Sequence, residues 1–155
     1  MTAKITFKNQ ILASQFFWVT GGMILCIMWY FQFEYTVVLG LIGFQFIFSF
    51  PGWYLHVEYY LKNRNQEVSI TSNSVTVKDR NEEKHYLGNE IEKIIYYTSG
   101  SGFLSMNSYY YACIKLKSGE EVIITRLMTP KVEEFVRTLH NIPFERKITL
   151  FADIS

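Results

Sequence analysis

The chain has 155 residues, 49% of them apolar and 17% aromatic, and a net charge of +1. So balanced a charge supplies no basic field for a nucleic acid, and neither DNA nor RNA is an expected partner. The two cysteines, Cys26 and Cys113, lie in different halves of the chain and form neither a disulfide framework nor a metal motif, so both read as small buried hydrophobes.

Charge is unevenly distributed. Between Asn9 and Val57 the only formal charge is Glu34, whereas from Glu58 onward the chain is charged like an ordinary globular protein. That break divides it into an N-terminal segment 1–10, an apolar segment 11–57, a β-rich segment 58–143 and a tail 144–155. Ile11 to Phe33 and Tyr35 to Leu55 are each free of charge. Each exceeds the roughly 20 helical residues needed to cross a hydrocarbon core of about 30 Å. The short tract Gln32-Phe33-Glu34-Tyr35 makes the two helices antiparallel neighbours, a transmembrane hairpin. A cleaved signal peptide fits poorly: the first run is too long, no small-x-small site follows, and a second span comes at once. A buried soluble hairpin fits poorly too, because neither helix offers water a polar face.

Lys4 and Lys8 precede the first span and Lys62 and Arg64 follow the second, while the turn has no Lys or Arg. The positive-inside rule then places both termini in the cytoplasm, on a plasma (inner) membrane. Trp29, Tyr30 and Tyr35 near the turn, and Trp53, Tyr54, Tyr59 and Tyr60 near the exit, suit two interfacial belts. Gly21 and Gly22 fall at nearly the depth of Gly40 and Gly43, which suggests close helix packing or an oligomer interface. The plain alternative is that glycine is common in membrane helices. Pro51-Gly52 is expected to kink or end the second helix. Gln15 and Gln45 are polar but have no charged neighbour, so a transporter or proton relay is not expected.

After Leu61 the chain reads as short strands. Val68 to Thr71 and Ser74 to Lys78 flank the turn Ser72-Asn73, followed by Lys84 to Leu87 and Ile91 to Tyr97. Tyr109 to Lys117 and Glu121 to Arg126 form a hairpin around Ser118-Gly119. Thr129 is a candidate N-cap with Pro130 in the first helical position, and Val132, Phe135, Val136 and Leu139 form an apolar stripe. Ile148, Leu150 and Phe151 in the tail are expected to add a strand or dock on the domain. The fold class is therefore a membrane α-helical hairpin plus an α+β part, a PH-like antiparallel β-barrel or roll closed by a C-terminal helix.

The run Glu67 to Val77, the strand Ile91-Glu92-Lys93-Ile94, and the closing hairpin into Thr129-Pro130 and its helix carry a resemblance. In these the chain resembles bacterial proteins with two transmembrane helices and a cytoplasmic PH-like domain, the YcxB-like group. In layout it is also similar to two-transmembrane β-barrel effectors of antiphage cyclic-nucleotide signalling. The first resemblance implies a fold and a membrane address; the second implies oligomers that breach the membrane when a cyclic nucleotide binds.

No G-x-S-x-G, H-E-x-x-H, C-x-x-C or P-loop occurs, and His56, His85 and His140 are scattered, so neither an enzyme nor a cofactor is expected. Gly100-Ser101-Gly102 reads as a flexible loop rather than a phosphate cradle. The turn Thr71-Ser72-Asn73-Ser74 lacks the basic cluster that inositol-phosphate recognition requires. Lys62 and Arg64 remain as membrane-proximal basic residues facing lipid headgroups. Tyr109-Tyr110-Tyr111, beside Tyr96 and Tyr97, is the most unusual soluble feature. Alternation puts Tyr110 on one face with Ala112, Ile114 and Leu116, and Tyr109 and Tyr111 on the other. The tyrosines are either sheet-stabilising pairs or, with Phe103 and Asn107 of the adjacent loop, a surface for a ligand or partner. The expected function is a membrane-anchored module recognising a protein, or lipid, at the cytoplasmic face, with self-association another option. The alternative is a ligand-gated, membrane-disrupting effector sensing a cyclic nucleotide.

Overall fold

The computed structural model describes residues 1–32, 34–80, 82–100 and 106–154. Among these, eight strands make two four-stranded sheets, and the helices interrupt the first sheet. Strand β1 (Thr2–Lys4) precedes the helices and pairs antiparallel with β2 (Gln66–Ile70), placing Ala3 opposite Val68. A three-residue strand with one apolar position carries almost no periodic signal, and the sequence reading missed it. Strands β3 (Ser74–Asp79) and β4 (Glu82–Leu87) complete this sheet in the order β1-β2-β3-β4.

The second sheet has the order β7-β6-β5-β8. It contains β5 (Ile91–Ser99), β6 (Tyr110–Leu116), β7 (Glu121–Thr125) and β8 (Phe144–Thr149), with β8 parallel to β5 and the other pairs antiparallel. The expected hairpin around Ser118-Gly119 is present, and Gly119 sits at φ +89°, a conformation that strains residues bearing a Cβ. The expected barrel is not closed among the described residues. Consecutive strands β4 and β5 belong to different sheets, joined by a 3-10 turn at Gly88–Glu90.

In the second sheet β5, β6 and β7 bury residues on both faces, while the edge strand β8 is largely exposed. Ile94, Tyr96, Ala112, Ile114 and Ile124 share one core with Val68, Ile70 and Val75 of the first sheet. Tyr111, Cys113 and Ile123 cover the opposite side, against Leu55 and Tyr59. This explains why Ile94-Ile95 and Val122-Ile123-Ile124 read as continuous apolar runs, the mark of a strand that meets no water on either side.

Helix α4 closes the first core but is shorter than expected, Val132–Val136. Thr129 does not cap it. The carbonyl of Thr125 accepts from the amides of Met128 and Thr129, holding these residues in a turn off β7, and Lys131 becomes the N-cap. Val132, Phe135, Val136 and Leu139 are all buried as the stripe requires.

The first apolar run is two helices, α1 (Phe7–Ala13) and α2 (Gln15–Phe31), bent by 60° at the break between them. Ser14 Oγ donates to the Gln10 carbonyl at 2.8 Å and accepts from Trp18 Nε1 at 3.1 Å, the local competition with backbone bonding that bends helices. Asn9 Nδ2 donates to the Met128 carbonyl and Arg126 to the Leu12 carbonyl, tying α1 to the β-rich domain. Helix α3 (Tyr35–Asn63) passes through Pro51 and Gly52 instead of ending there. An interior proline costs a helix about 3 kcal/mol, and the last turns recover this by burying Leu55, Tyr59 and Asn63 completely. By length and apolarity α3 is sufficient to cross a bilayer, and α1 with α2 is so when taken together.

Between α2 and α3 the polar bridge is Gln45, whose Nε2 donates to Thr20 Oγ1 at 2.7 Å and to Ser49 Oγ at 3.2 Å. The glycines make no close approach of the two backbones. A Cβ placed at Gly21, Gly22, Gly40 or Gly43 would meet nothing within 4 Å.

Candidate site at the junction of helix and sheet

The last turns of α3 carry His56 and Tyr59 onto the tyrosine-bearing face of β6 and the residue before it. Tyr109, fully buried, shares a 3.0 Å hydrogen bond between its hydroxyl and His56 Nδ1. The Tyr59 ring meets Tyr109 edge-on at 5.6 Å and Tyr111 edge-on at 6.0 Å, while Tyr97 stacks on Tyr111 at 4.7 Å. Such pairs add about 0.5–1.5 kcal/mol each beyond the area they bury.

The tail seals the cluster. Tyr59 donates to the Ala152 carbonyl at 2.6 Å, Tyr111 donates to the Asp153 carbonyl at 2.9 Å, and the Ile154 amide donates to Glu58 Oε1 at 2.9 Å. One helical turn beyond Tyr59, Asn63 Nδ2 donates to the Ile123 carbonyl of β7 at 2.9 Å. Helix, sheet and tail are thus joined by aromatic contacts and directed hydrogen bonds.

The strand parity read from the sequence holds: Tyr110 lies against the first core and Tyr111 against the second. The premise of exposure does not, because α3 and the tail already cover Tyr109 and Tyr111. Tyr96 lies on the opposite sheet face, stacked on Phe144 with Arg146 over its ring, and lines a cleft of about 300 Å³ with Tyr110 and Arg137. Asn107 is exposed in the turn before β6, and Phe103 falls outside the described residues.

Lys62 occupies the last turn of α3 and Arg64 its C-cap. Lys62 lines a cleft of about 350 Å³ with Lys84, Asp79, Glu82, Glu120 and Glu121, where Lys84 pairs with Glu120 at 3.1 Å. Four carboxylates against two ammonium groups make this cleft unsuited to an anion. Tyr59 and Asn63 were missed as junction residues, although no helix breaker separates Val57 from Asn63 and the spacing Leu55, Tyr59, Asn63 extends one helical face.

Burial also sets the protonation of the site. It pushes the Tyr109 and Tyr111 hydroxyls well above the ordinary phenol range, and Tyr96 up to about 12. The Cys113 thiol is pushed up to about 12, chiefly by burial and then by Glu121, so it stays a protonated, inert thiol at neutral pH. Among the described residues no group of three His, Cys, Asp or Glu could hold a metal ion.

A folded-state phenol pKa above the unfolded value stabilises the protein below the unfolded value near 10. That stability is lost as pH rises through the folded values. Thermal unfolding is therefore expected at a constant midpoint from neutrality to about pH 10 and at a falling midpoint beyond it. Tyr111→Phe should flatten part of that fall, and ultraviolet titration of the phenols alongside thermal melts checks both points.

A family model described as PH domain matches residues 2–133. The chain belongs to the PH-domain family. The match begins in β1, crosses the helices and ends within α4, so strands on both sides of the hairpin belong to this PH domain. Neither the curated proteins nor the solved structures gave a significant match. PH domains bind lipids or proteins, which marks this one as a binding or regulatory module. The match is to a PH domain and does not distinguish the YcxB-like group from the antiphage effectors.

Proposed function

We propose that the protein is a membrane-anchored PH domain, held rigidly at the cytoplasmic face, that recognises a protein or lipid partner without catalysing a reaction. The observation that carries this reading is the continuity of α3. Its apolar part, from Tyr35 through Phe50, exposes Phe46, Ile47 and Phe50, whereas its last turns bury Leu55, Tyr59 and Asn63 inside the domain. A surface so apolar is matched to lipid rather than water. With no linker between span and domain, the domain's orientation follows that of the helix. The exposed turn at Asn107 and the cleft beside Tyr96 are the surfaces offered to a partner.

Single cysteines at Gln32 and Ser118, on a background lacking Cys26 and Cys113, test the reading in intact cells. Position 32 should react with an impermeant reagent from outside, and position 118 only after permeabilisation. Reaction at 118 from outside, or recovery of the protein as a soluble species, overturns the proposal.

A second reading, the ligand-gated effector, is favoured by the four glycines that meet no neighbour within the chain and leave helix faces free for other copies. Growth arrest on expression that depends on an added cyclic nucleotide would select it over the first.

A further inference from the structure

Strand direction in the second sheet fixes which end of the domain faces the apolar helices. Tyr109, just before β6, meets His56, whereas Cys113 further along β6 pairs with Ile123, whose carbonyl binds Asn63. β6 therefore runs away from the apolar part of α3. β5 and β7 are antiparallel to β6, and β8 is parallel to β5, so all three run toward it. Their C-terminal ends lie where the helices emerge. The tail reverses there: Ser99 pairs with Thr149 and its Oγ donates to the Leu150 carbonyl, after which the chain returns to place Ala152 against Tyr59. α1 lies at the same end, bonded to Arg126 and Met128 just after β7. Its Phe7 and Ile11 line a cavity of about 380 Å³ together with Trp18, Trp53 and His56.

Exposed apolar side chains gather at this end. Of the large ones exposed outside α2 and α3, Phe7 (78%), Ile11, Ile148 (73%), Leu150 (68%) and Phe151 are here, and among the described residues only Met1 and Leu87 are elsewhere. Leu87 adjoins the start of β5, at the opposite end. Helical rise sets the depth of the patch. About 20 residues cross a hydrocarbon core of about 30 Å. Counted from Tyr35, the first residue of α3, the crossing ends near Leu55, next to His56. Apolar side chains collected at that level, and adjoining the apolar helix surface through Trp18 and Trp53, suit a lipid surface. A soluble protein approaching this end would meet the bilayer first.

We infer that Phe7, Ile11, Ile148, Leu150 and Phe151 form a collar by which the PH domain rests in the headgroup region of the bilayer, a lipid contact additional to the helices. This rests on the membrane-anchored reading above and adds to it a defined resting face. α1, bent by 60° from α2, then lies along the surface while α2 enters it. The contact is made by apolar side chains and needs no anionic headgroup.

The full chain, lacking Cys26 and Cys113, is given one nitroxide-labelled cysteine at position 7, 150, 46 or 87 and placed in phosphatidylcholine nanodiscs. Power-saturation electron paramagnetic resonance compares access of oxygen, which partitions into lipid, with access of a water-soluble nickel chelate. Position 46 in α3 is the lipid reference and position 87 the water reference. The oxygen-to-nickel ratio at 7 and 150 should be shifted from the value at 87 toward that at 46. Ile148→Lys with Phe151→Lys, both at exposed positions, should shift position 150 back toward 87 and leave 46 unchanged. Ratios at 7 and 150 equal to that at 87 overturn the inference. So does an unchanged ratio at 150 in the lysine variant, since the label and not the collar would then be seeking lipid. Low access to both reagents at 7 and 150 means that a second copy covers the patch, and overturns it too. If position 46 itself reads as water, the membrane reading fails; if 46 reads as lipid and 7 and 150 as water, only the collar does.

Discussion

Tyr59→Ala is expected to destabilise the protein by about 3–5 kcal/mol, the range for removing a large aromatic from a packed core. Tyr59 is fully buried, touches Tyr109 and Tyr111 edge-on, and donates to the Ala152 carbonyl. Truncation removes the contacts that seat α3 on the second sheet and frees the tail together. Tyr59→Phe keeps the ring and leaves the Ala152 carbonyl without its donor, a loss of about 1–3 kcal/mol. Denaturant unfolding in detergent gives both values, and limited proteolysis adds a structural readout: in Tyr59→Ala the tail beyond β8 should become the first site of cleavage. An alanine variant as stable as the parent would mean that the helix and the sheet are not mechanically joined at this residue.

Ala3→Asp should be damaging for a different reason. Ala3 is 2% exposed, faces the first core, and lies opposite Val68 in the β1–β2 ladder. A carboxylate there would be buried in a cluster dominated by aliphatic side chains, and an uncompensated buried charge costs several kcal/mol even after relaxation. The neighbouring change Thr2→Asp is the control. Thr2 is exposed and contacts Ser69 through hydroxyls, so its loss is expected to stay within about 1 kcal/mol. Equal tolerance of the two changes, measured by thermal melts, would remove β1 from the domain.

Wherever one side of an element meets the core and the other meets water, the sequence was readable. The alternation Ser74-Val75-Thr76-Val77, the Ser118-Gly119 turn and the stripe Val132, Phe135, Val136, Leu139 each declare a period, and each is found as an element or a buried face. Reading failed where a neighbour distant in the chain decides the outcome. Nothing local to Thr2-Ala3-Lys4 announces a strand whose partner begins at Gln66. For Tyr109 and Tyr111 both readings, packed pairs or a recognition surface, stayed open, because their cover comes from α3 and the tail, far away in the chain. The seating of α1 rests on bonds from Asn9 to the Met128 carbonyl and from Arg126 to the Leu12 carbonyl, partners that no window of sequence contains. Local propensity expects Pro51 to kink or end the helix; α3 does not end there, because the burial of Leu55, Tyr59 and Asn63 holds its last turns.

Threading the helices between β1 and β2 also has a consequence for how the chain matures. Thr2 and Ser69 touch across 67 positions, a contact that a flexible loop would close slowly and against considerable entropy. Here an antiparallel pair of helices returns the chain close to its starting point. Once the hairpin has formed, the two strands are already near each other, and their pairing becomes a local event. Assembly should therefore have a fixed order, hairpin before sheet. A chain whose helices cannot come together should emerge with its first strand unpaired and the neighbouring edge of β2 open to other molecules, a defect of biogenesis arising far from the residues that display it.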